Sequence, residues 1–271
     1  MADLKARAKI IRKHIIESTT EAGSGHPTSS MSAVEVAVAL YFGGLMKYDV
    51  KKPESPERDR FVLSKGHAAP LLYAVLAEAG YFPTKDLLTL RKLGSPLEGH
   101  PNKRRLPGVE ASTGSLGQGL SIGVGMALAA KLDKKSFRTY VLMGDGETGE
   151  GQVWEAAMSA KKYKLDNLCA VIDQNGYQQT GATKDVLDLT PQAPRWEAFG
   201  WFAQEIDGHD IEAVLAAFKK AAETKGQPSI LIARTHKGHP IQDMLKSDPN
   251  HHGKPLTADE AKQALALVDK S

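Results

Sequence analysis

The chain has 271 residues, 41% of them hydrophobic, with 25 glycines, so apolar residues plus glycine make up about half, an ordinary globular share. That excludes a chain too polar to offset its ordering entropy and allows one large domain, read as residues 1–271. Lys and Arg number 35 against 32 Asp and Glu, and no basic run is interleaved with aromatics, so nucleic acid is not implied.

The basic N-terminus (MADLKARAKIIRKHIIESTTEAG) could be mistaken for a transit peptide, but Leu4, Ala8, Ile11 and Ile15 recur at helical spacing, and Asp3 and Glu17 interrupt the charge. A folded amphipathic helix is expected, with the cytoplasm as the default address. Lys51–Arg60 (KKPESPERDR) is a charged, Pro-containing surface loop. Arg60–Ser64 reads as a strand, followed by a helix from about His67 to Ala79. Residues 94–115 are irregular, and long loops inside compact domains are often functional. Arg138–Met143 is a buried strand ending at Gly144-Asp145-Gly146. A helix from about Val153 to Tyr163 and a second buried strand, Asn167–Ile172, complete a βαβ unit. Trp196–Gly200 ends a helix, Phe202–Ile206 is a strand, Ile211–Thr224 a helix and Ser229–Thr235 a further buried strand. The alternation predicts an α/β fold, an open, mostly parallel sheet with helices on both faces and its ligand outside the carboxyl ends of the strands. No run reaches the roughly 18 apolar residues of a membrane span. The single Cys, Cys169, rules out an internal disulfide framework or a zinc–thiolate cluster and reads as a core thiol.

Asp145 and Asn175 fall at the carboxyl ends of consecutive strands. A carboxylate and an amide oxygen are hard ligands suited to Mg²⁺ or Ca²⁺. Such a cation would reverse the repulsion between Asp145 and a phosphate, which Gly144 and Gly146 would let approach the backbone. The same residues would also serve as a turn glycine pair, an Asp helix cap and a loop Asn. Spacing alone does not separate the two readings.

Gly144-Asp145-Gly146, then about 28 residues, then Asn175, resembles the thiamine diphosphate fingerprint. SGHPTS around His26, LSKGHAAPLLYA around His67, LEGHP around His100, STGSLGQG from Ser112, GDGETGEG from Gly144 and HHGKPL at His251–Leu256 resemble transketolases, in family order and over nearly the whole chain. The resemblance implies a diphosphate-binding domain whose metal is held by Asp145, Asn175 and the carbonyl of Tyr177. It places Gly114 and Leu116 along the thiazolium, Gly146 at the diphosphate, and Ser115 and Glu147 among the cofactor-binding residues. Gln179 and Lys237 come near the cofactor, and Glu150 near a subunit contact that links paired sites. The fingerprint's first Asn is Gln174 here, and the spacing from Lys237 to His252 is about one residue longer than the family pattern.

Nine histidines are present, several in Gly-His contexts. Imidazoles hydrogen-bond hydroxyls in either protonation state, which suits a polyhydroxylated substrate. No pair has the i, i+4 spacing of zinc ligands on a helix. The resemblance assigns His26, His100, His252 and Glu150 to catalysis and His67 and His252 to the cofactor, and leaves out His239 and His251. It implies ketol transfer between sugar phosphates, with His26 and His252 moving protons and His100 orienting the terminal hydroxyl. The family's glutamate for the aminopyrimidine lies on a further domain. The expected partner is therefore a C-terminal transketolase subunit with the pyrimidine-binding domain, in a two-plus-two heterotetramer. A deoxyxylulose phosphate synthase-like subunit, a nicotinamide-dependent Rossmann dehydrogenase and a non-catalytic scaffold are the competing readings. No strand is expected before the glycine-rich Gly114–Gly119 stretch, which disfavours the dehydrogenase.

Overall fold

The computed structural model describes residues 1–246 and 248–271. In chain order the elements are α1 (Ala2–Ala22), α2 (Pro27–Met31), α3 (Val34–Phe42), β1 (Arg60–Leu63), α4 (Ala69–Ala79) and α5 (Gln118–Leu132). Then come β2 (Thr139–Gly144), α6 (Gly151–Lys162), β3 (Leu168–Gln174), the short antiparallel pair β4 (Tyr177–Gln178) and β5 (Gly181–Ala182), α7 (Thr183–Val186) and α8 (Gln192–Ala198). The chain continues through β6 (Phe202–Asp207), α9 (Ile211–Glu223), β7 (Ser229–Arg234) and α10 (Ala258–Lys270).

The five long strands pair in parallel in the order β1-β2-β3-β7-β6. Successive side chains of a strand point to opposite faces, and both faces here are packed. Phe61, Leu63, Tyr140, Leu142, Cys169, Val171, Leu231 and Ala233 enter one core with α1, α3, α4, α9 and α10. Val62, Val141, Met143, Leu168, Ala170, Ile172, Ile230 and Ile232 enter the other with α5, α6 and α8. Connectivity explains the division. From β2 to β3 to β6 the chain steps one way across the sheet, with α6 and α8 on one side. From β6 to β7 it steps back, so a right-handed crossover puts α9 on the opposite side.

The expected strands all form, within a residue or two. In α1, Leu4, Ala8, Ile11 and Ile15 are buried as their spacing predicts. Cys169 is fully buried, and burial pushes its thiol up to about 12. Besides the short α2 and α7, three helices had no counterpart among the predicted elements: α3, α5 and α10. In α5 three glycines lower the intrinsic helix preference. Two of them allow close packing, since a Cβ on Gly119 would lie 2.3 Å from Ser64 Oγ and one on Gly123 2.4 Å from Val141 Cγ2. Helix α10 starts at a capping box in which Thr257 and Glu260 bond each other's backbone N–H. No helix among the described residues is long and apolar enough to cross a membrane.

Candidate active site

Every long strand points its carboxyl end the same way, so the segments leaving β1, β2, β3 and β7 gather at one edge. There they line a cavity of about 760 Å³ with α2 and the irregular segment before α5. The segment after β1 brings Lys65 and His67, the turn after β2 Asp145, Gly146, Glu147 and Glu150, and the loop after β3 Asn175, Tyr177 and Gln179. His26 at the start of α2, His100, Gly114, Leu116 and His252 complete the wall. Of the residues expected at the cofactor, Ser115 is exposed and does not line this cavity. Lys237 is buried behind the wall and reaches it through His252, its Nζ 2.9 Å from His252 Nδ1.

His26, His67 and His252 form a nearly equilateral triangle, with ring centroids 5.1, 5.0 and 5.3 Å apart. Burial, seconded by neighbouring cations, lowers their pKa values: His26 to about 4, His252 to about 3, and His67 further still. All three rings are therefore neutral at pH 7 and can each both donate and accept. The Nδ1 of His26 is buried without a hydrogen-bond partner among the described residues.

On the same cavity wall, Asp145 Oδ1 accepts from Gly146 N–H (2.9 Å) and Oδ2 from Gly176 N–H (2.7 Å). Burial, then repulsion from Asp173, pushes its carboxyl up to about 7. Asp173 keeps its charge, held below the usual range against the cost of burial chiefly by the Lys65 ammonium. Asn175 Oδ1 accepts from Tyr177 N–H at 3.1 Å. A carboxylate short of positive charge beside an amide oxygen and a backbone carbonyl is a hard-oxygen set of the kind Mg²⁺ or Ca²⁺ requires. A Cβ on Gly146 would come within 2.5 Å of Gln178 Cβ, so the turn is closed to larger residues.

Glu147 is 2% exposed, and its carboxylate oxygens are engaged by the Ser64 hydroxyl, Gly117 N–H (2.9 Å) and Gly144 N–H (3.1 Å). It clamps three cavity-lining segments together. Asn250, which the sequence did not point to, accepts from Lys237 Nζ (2.6 Å) and donates to the carbonyls of Gln178 and Gln179 (3.0 and 3.2 Å). Lys65 was likewise missed, although it precedes Gly66-His67 in the LSKGHAAPLLYA motif. Glu35, His209 and His239 lie together elsewhere. Glu35 is paired with Arg12 (2.5 Å), and both nitrogens of His209 are engaged, by Glu35 and by His236 N–H, so this cluster fastens the segment after β7 to α1 and α3.

Gly66 needs its missing side chain, because a Cβ there would sit 2.8 Å from Gly114 N and from the Thr113 carbonyl carbon. Backbone cannot yield as a side-chain tip does. Gly66→Ala is expected to cost about 1–3 kcal/mol, read as a lower midpoint in urea at unchanged m-value.

A family profile described as "Transketolase, thiamine diphosphate binding domain" matches residues 4–267. The chain belongs to this transketolase family. It is 48% identical over 268 residues to transketolase-like protein 2 of Bos taurus, covering 98% of this chain and 42% of that protein. The chain thus spans about two fifths of the length of such relatives. An apulose-4-phosphate transketolase subunit of Phocaeicola vulgatus is 43% identical, over 98% of this chain and 94% of its own. The 6-deoxy-6-sulfo-D-fructose transketolase subunit of a Clostridium species is 44% identical, over 99% and 97%. The Pichia stipitis transketolase solved with sedoheptulose-7-phosphate superposes with a TM-score of 0.93 at 33% identity, over 99% of this chain and 41% of that one. The transketolase assignment agrees with the all-parallel sheet and with the strand-end position of the cavity.

Proposed function

We propose that this chain is the diphosphate-binding subunit of a split transketolase, transferring a two-carbon ketol unit between sugar phosphates in the cytoplasm. The observation that carries the reading is the pairing, in one cavity, of the Asp145–Asn175–Tyr177 oxygen set with three neutral histidines, one of them with an orphaned nitrogen. Thiamine diphosphate supplies the carbanion chemistry when bound. Asp145, Asn175 and the Tyr177 carbonyl would hold Mg²⁺ or Ca²⁺, and Gly146 would present its backbone to the diphosphate. His26 and His252 move the proton of the substrate hydroxyl at the cleaved bond, each able to accept it because each is neutral. His100 holds the terminal hydroxyl, His67 faces the cofactor, and Glu150 lies at the diphosphate end toward a neighbouring copy.

The histidine set favours a sugar over a keto acid. Two relatives named as transketolase subunits, matched along nearly their full length, favour a partner chain with the pyrimidine-binding domain, assembled two-plus-two. The test is co-expression with that companion subunit. Thiamine diphosphate with Mg²⁺ at a hundredfold excess over Kd should add about 2.7 kcal/mol of stability, seen as a raised Tm, while reduced nicotinamide changes nothing. The pair should transfer a ketol unit from a ketose phosphate to an aldose phosphate, and this chain alone should not. Transfer by the chain alone would refute the split assembly, and no Mg²⁺-dependent shift would refute the cofactor.

A further inference from the structure

We infer that Asp173, a residue outside the metal-ligand set, is the positioning residue that turns the amide oxygen of Asn175 toward the metal. The inference rests on the thiamine diphosphate reading above. Asp173 lies at the end of β3, is fully buried, and accepts four side-chain hydrogen bonds from four separate segments. Its Oδ2 takes Lys65 Nζ (2.5 Å), Ser32 Oγ (2.6 Å) and Asn175 Nδ2 (3.0 Å), and its Oδ1 takes Thr235 Oγ1 (2.5 Å).

The chemistry of the acceptor decides the outcome. An ionised carboxylate only accepts, so the Asn175 atom facing Asp173 must be the NH₂ group. The amide oxygen is then turned the other way, where it takes Tyr177 N–H at 3.1 Å, and Asn175 lines the same cavity as Asp145. A neutral amide at position 173 could donate or accept, and Asn175 would be free to present nitrogen instead of oxygen. The Lys65 ammonium keeps Asp173 acceptor-only, and Lys65 Nζ also donates to the Ser29 carbonyl at 2.8 Å. Three of the four donors stand on segments that carry further site residues: Lys65 lies two positions before His67, Thr235 two before Lys237, and Ser32 caps the helix that begins after His26. One carboxylate thus sets the amide and holds the surrounding strand ends in register with it.

The readout is the Mg²⁺ concentration that half-saturates the Tm rise in saturating thiamine diphosphate, measured on the enzyme assembled with its companion subunit. Asp173→Asn should raise that concentration about 10–100-fold, as loss of an orienting partner of a metal ligand does. Thr235→Val removes a hydrogen bond to the other oxygen and should leave it within about twofold of wild type, even if Tm falls. Should Asp173→Asn not fold because Lys65 is left unpaired, Lys65→Met with Asp173→Asn cancels the buried charge, and the same 10–100-fold rise is expected. A wild-type Mg²⁺ requirement in either protein carrying Asp173→Asn, or an equal rise in Thr235→Val, would overturn the inference and leave Asp173 a structural residue. A wild-type enzyme with no Mg²⁺-dependent shift would instead refute the cofactor reading, and the inference with it.

Discussion

Asp145→Asn is expected to raise the Mg²⁺ needed for cofactor-dependent stabilisation by more than about 100-fold, beyond the range for losing an outer partner of a metal ligand. The substitution keeps shape and one hydrogen-bond acceptor but removes the only negative charge in the proposed ligand set. The same change should stabilise the metal-free protein at pH 8. The folded carboxyl is raised to about 7 by burial and by Asp173, so between about pH 4 and pH 7 the native state holds a proton that the unfolded chain has released. Stability therefore falls as pH rises through that window, by an amount on the order of a few kcal/mol. The neutral Asn escapes this loss. Urea unfolding without metal at pH 5 and pH 8 should show the gap between wild type and variant widening toward pH 8. Mg²⁺ titrations should show metal binding by wild type strengthening from pH 5 to about pH 7, as the competing proton leaves. A pH-independent gap would mean that Asp145 is charged throughout.

His26→Ala is expected to lower kcat by about 10²–10⁴-fold, the range for removing a group that moves a proton in the transition state. The half-saturating Mg²⁺ concentration should stay near wild type, because His26 is not part of the proposed ligand set. The pH profile offers an independent check. With His26 at about 4 and His252 at about 3, neither protonates above pH 5, so wild-type kcat should lack a histidine-like fall between pH 8 and pH 5.5. A limb near 6.5 assigned to His26 by the variant would show that the ring is better hydrated in the working enzyme than in the free chain.

The sheet was legible in the sequence because buried parallel strands are short apolar runs with sharp ends: RFVL, TYVLM, LCAVI and SILIA stand out by composition. The helices missed were those whose local signals conflict. Three glycines in α5 argue against a helix until Ser64 and Val141 are seen pressing on two of them. In α3, VEVAVALYF is apolar nearly all round, as fits a helix eight of whose nine residues are buried, so it has no amphipathic period to read. The site divided along similar lines. Asp145, Asn175 and the histidines sit in punctuated Gly-containing motifs, and the fold brings them to one cavity. Asp173, Lys65 and Asn250 act through contacts with residues far along the chain, such as Lys65 with Asp173 across 108 positions, so even the motif around Lys65 does not show what it holds. Glu147 was legible as a site residue but not as the clamp it is, because its partners Ser64 and Gly117 come from other segments.

The strand order also bears on how the molecule is made. The inner strand β7 is the last of the sheet to leave the ribosome, and its neighbours β3 and β6 are complete well before it. Until residue 234 has emerged, each of those two strands shows a bare row of amide and carbonyl groups, a template for pairing with another nascent chain. A hydrophobic, charge-free insert such as SILIA closes that gap in one step, joining the two halves of the sheet. Synthesis that stalls between β6 and β7 would therefore leave the chain at its most adhesive, so the codons and chaperone contacts of that interval become a matter for yield rather than for catalysis.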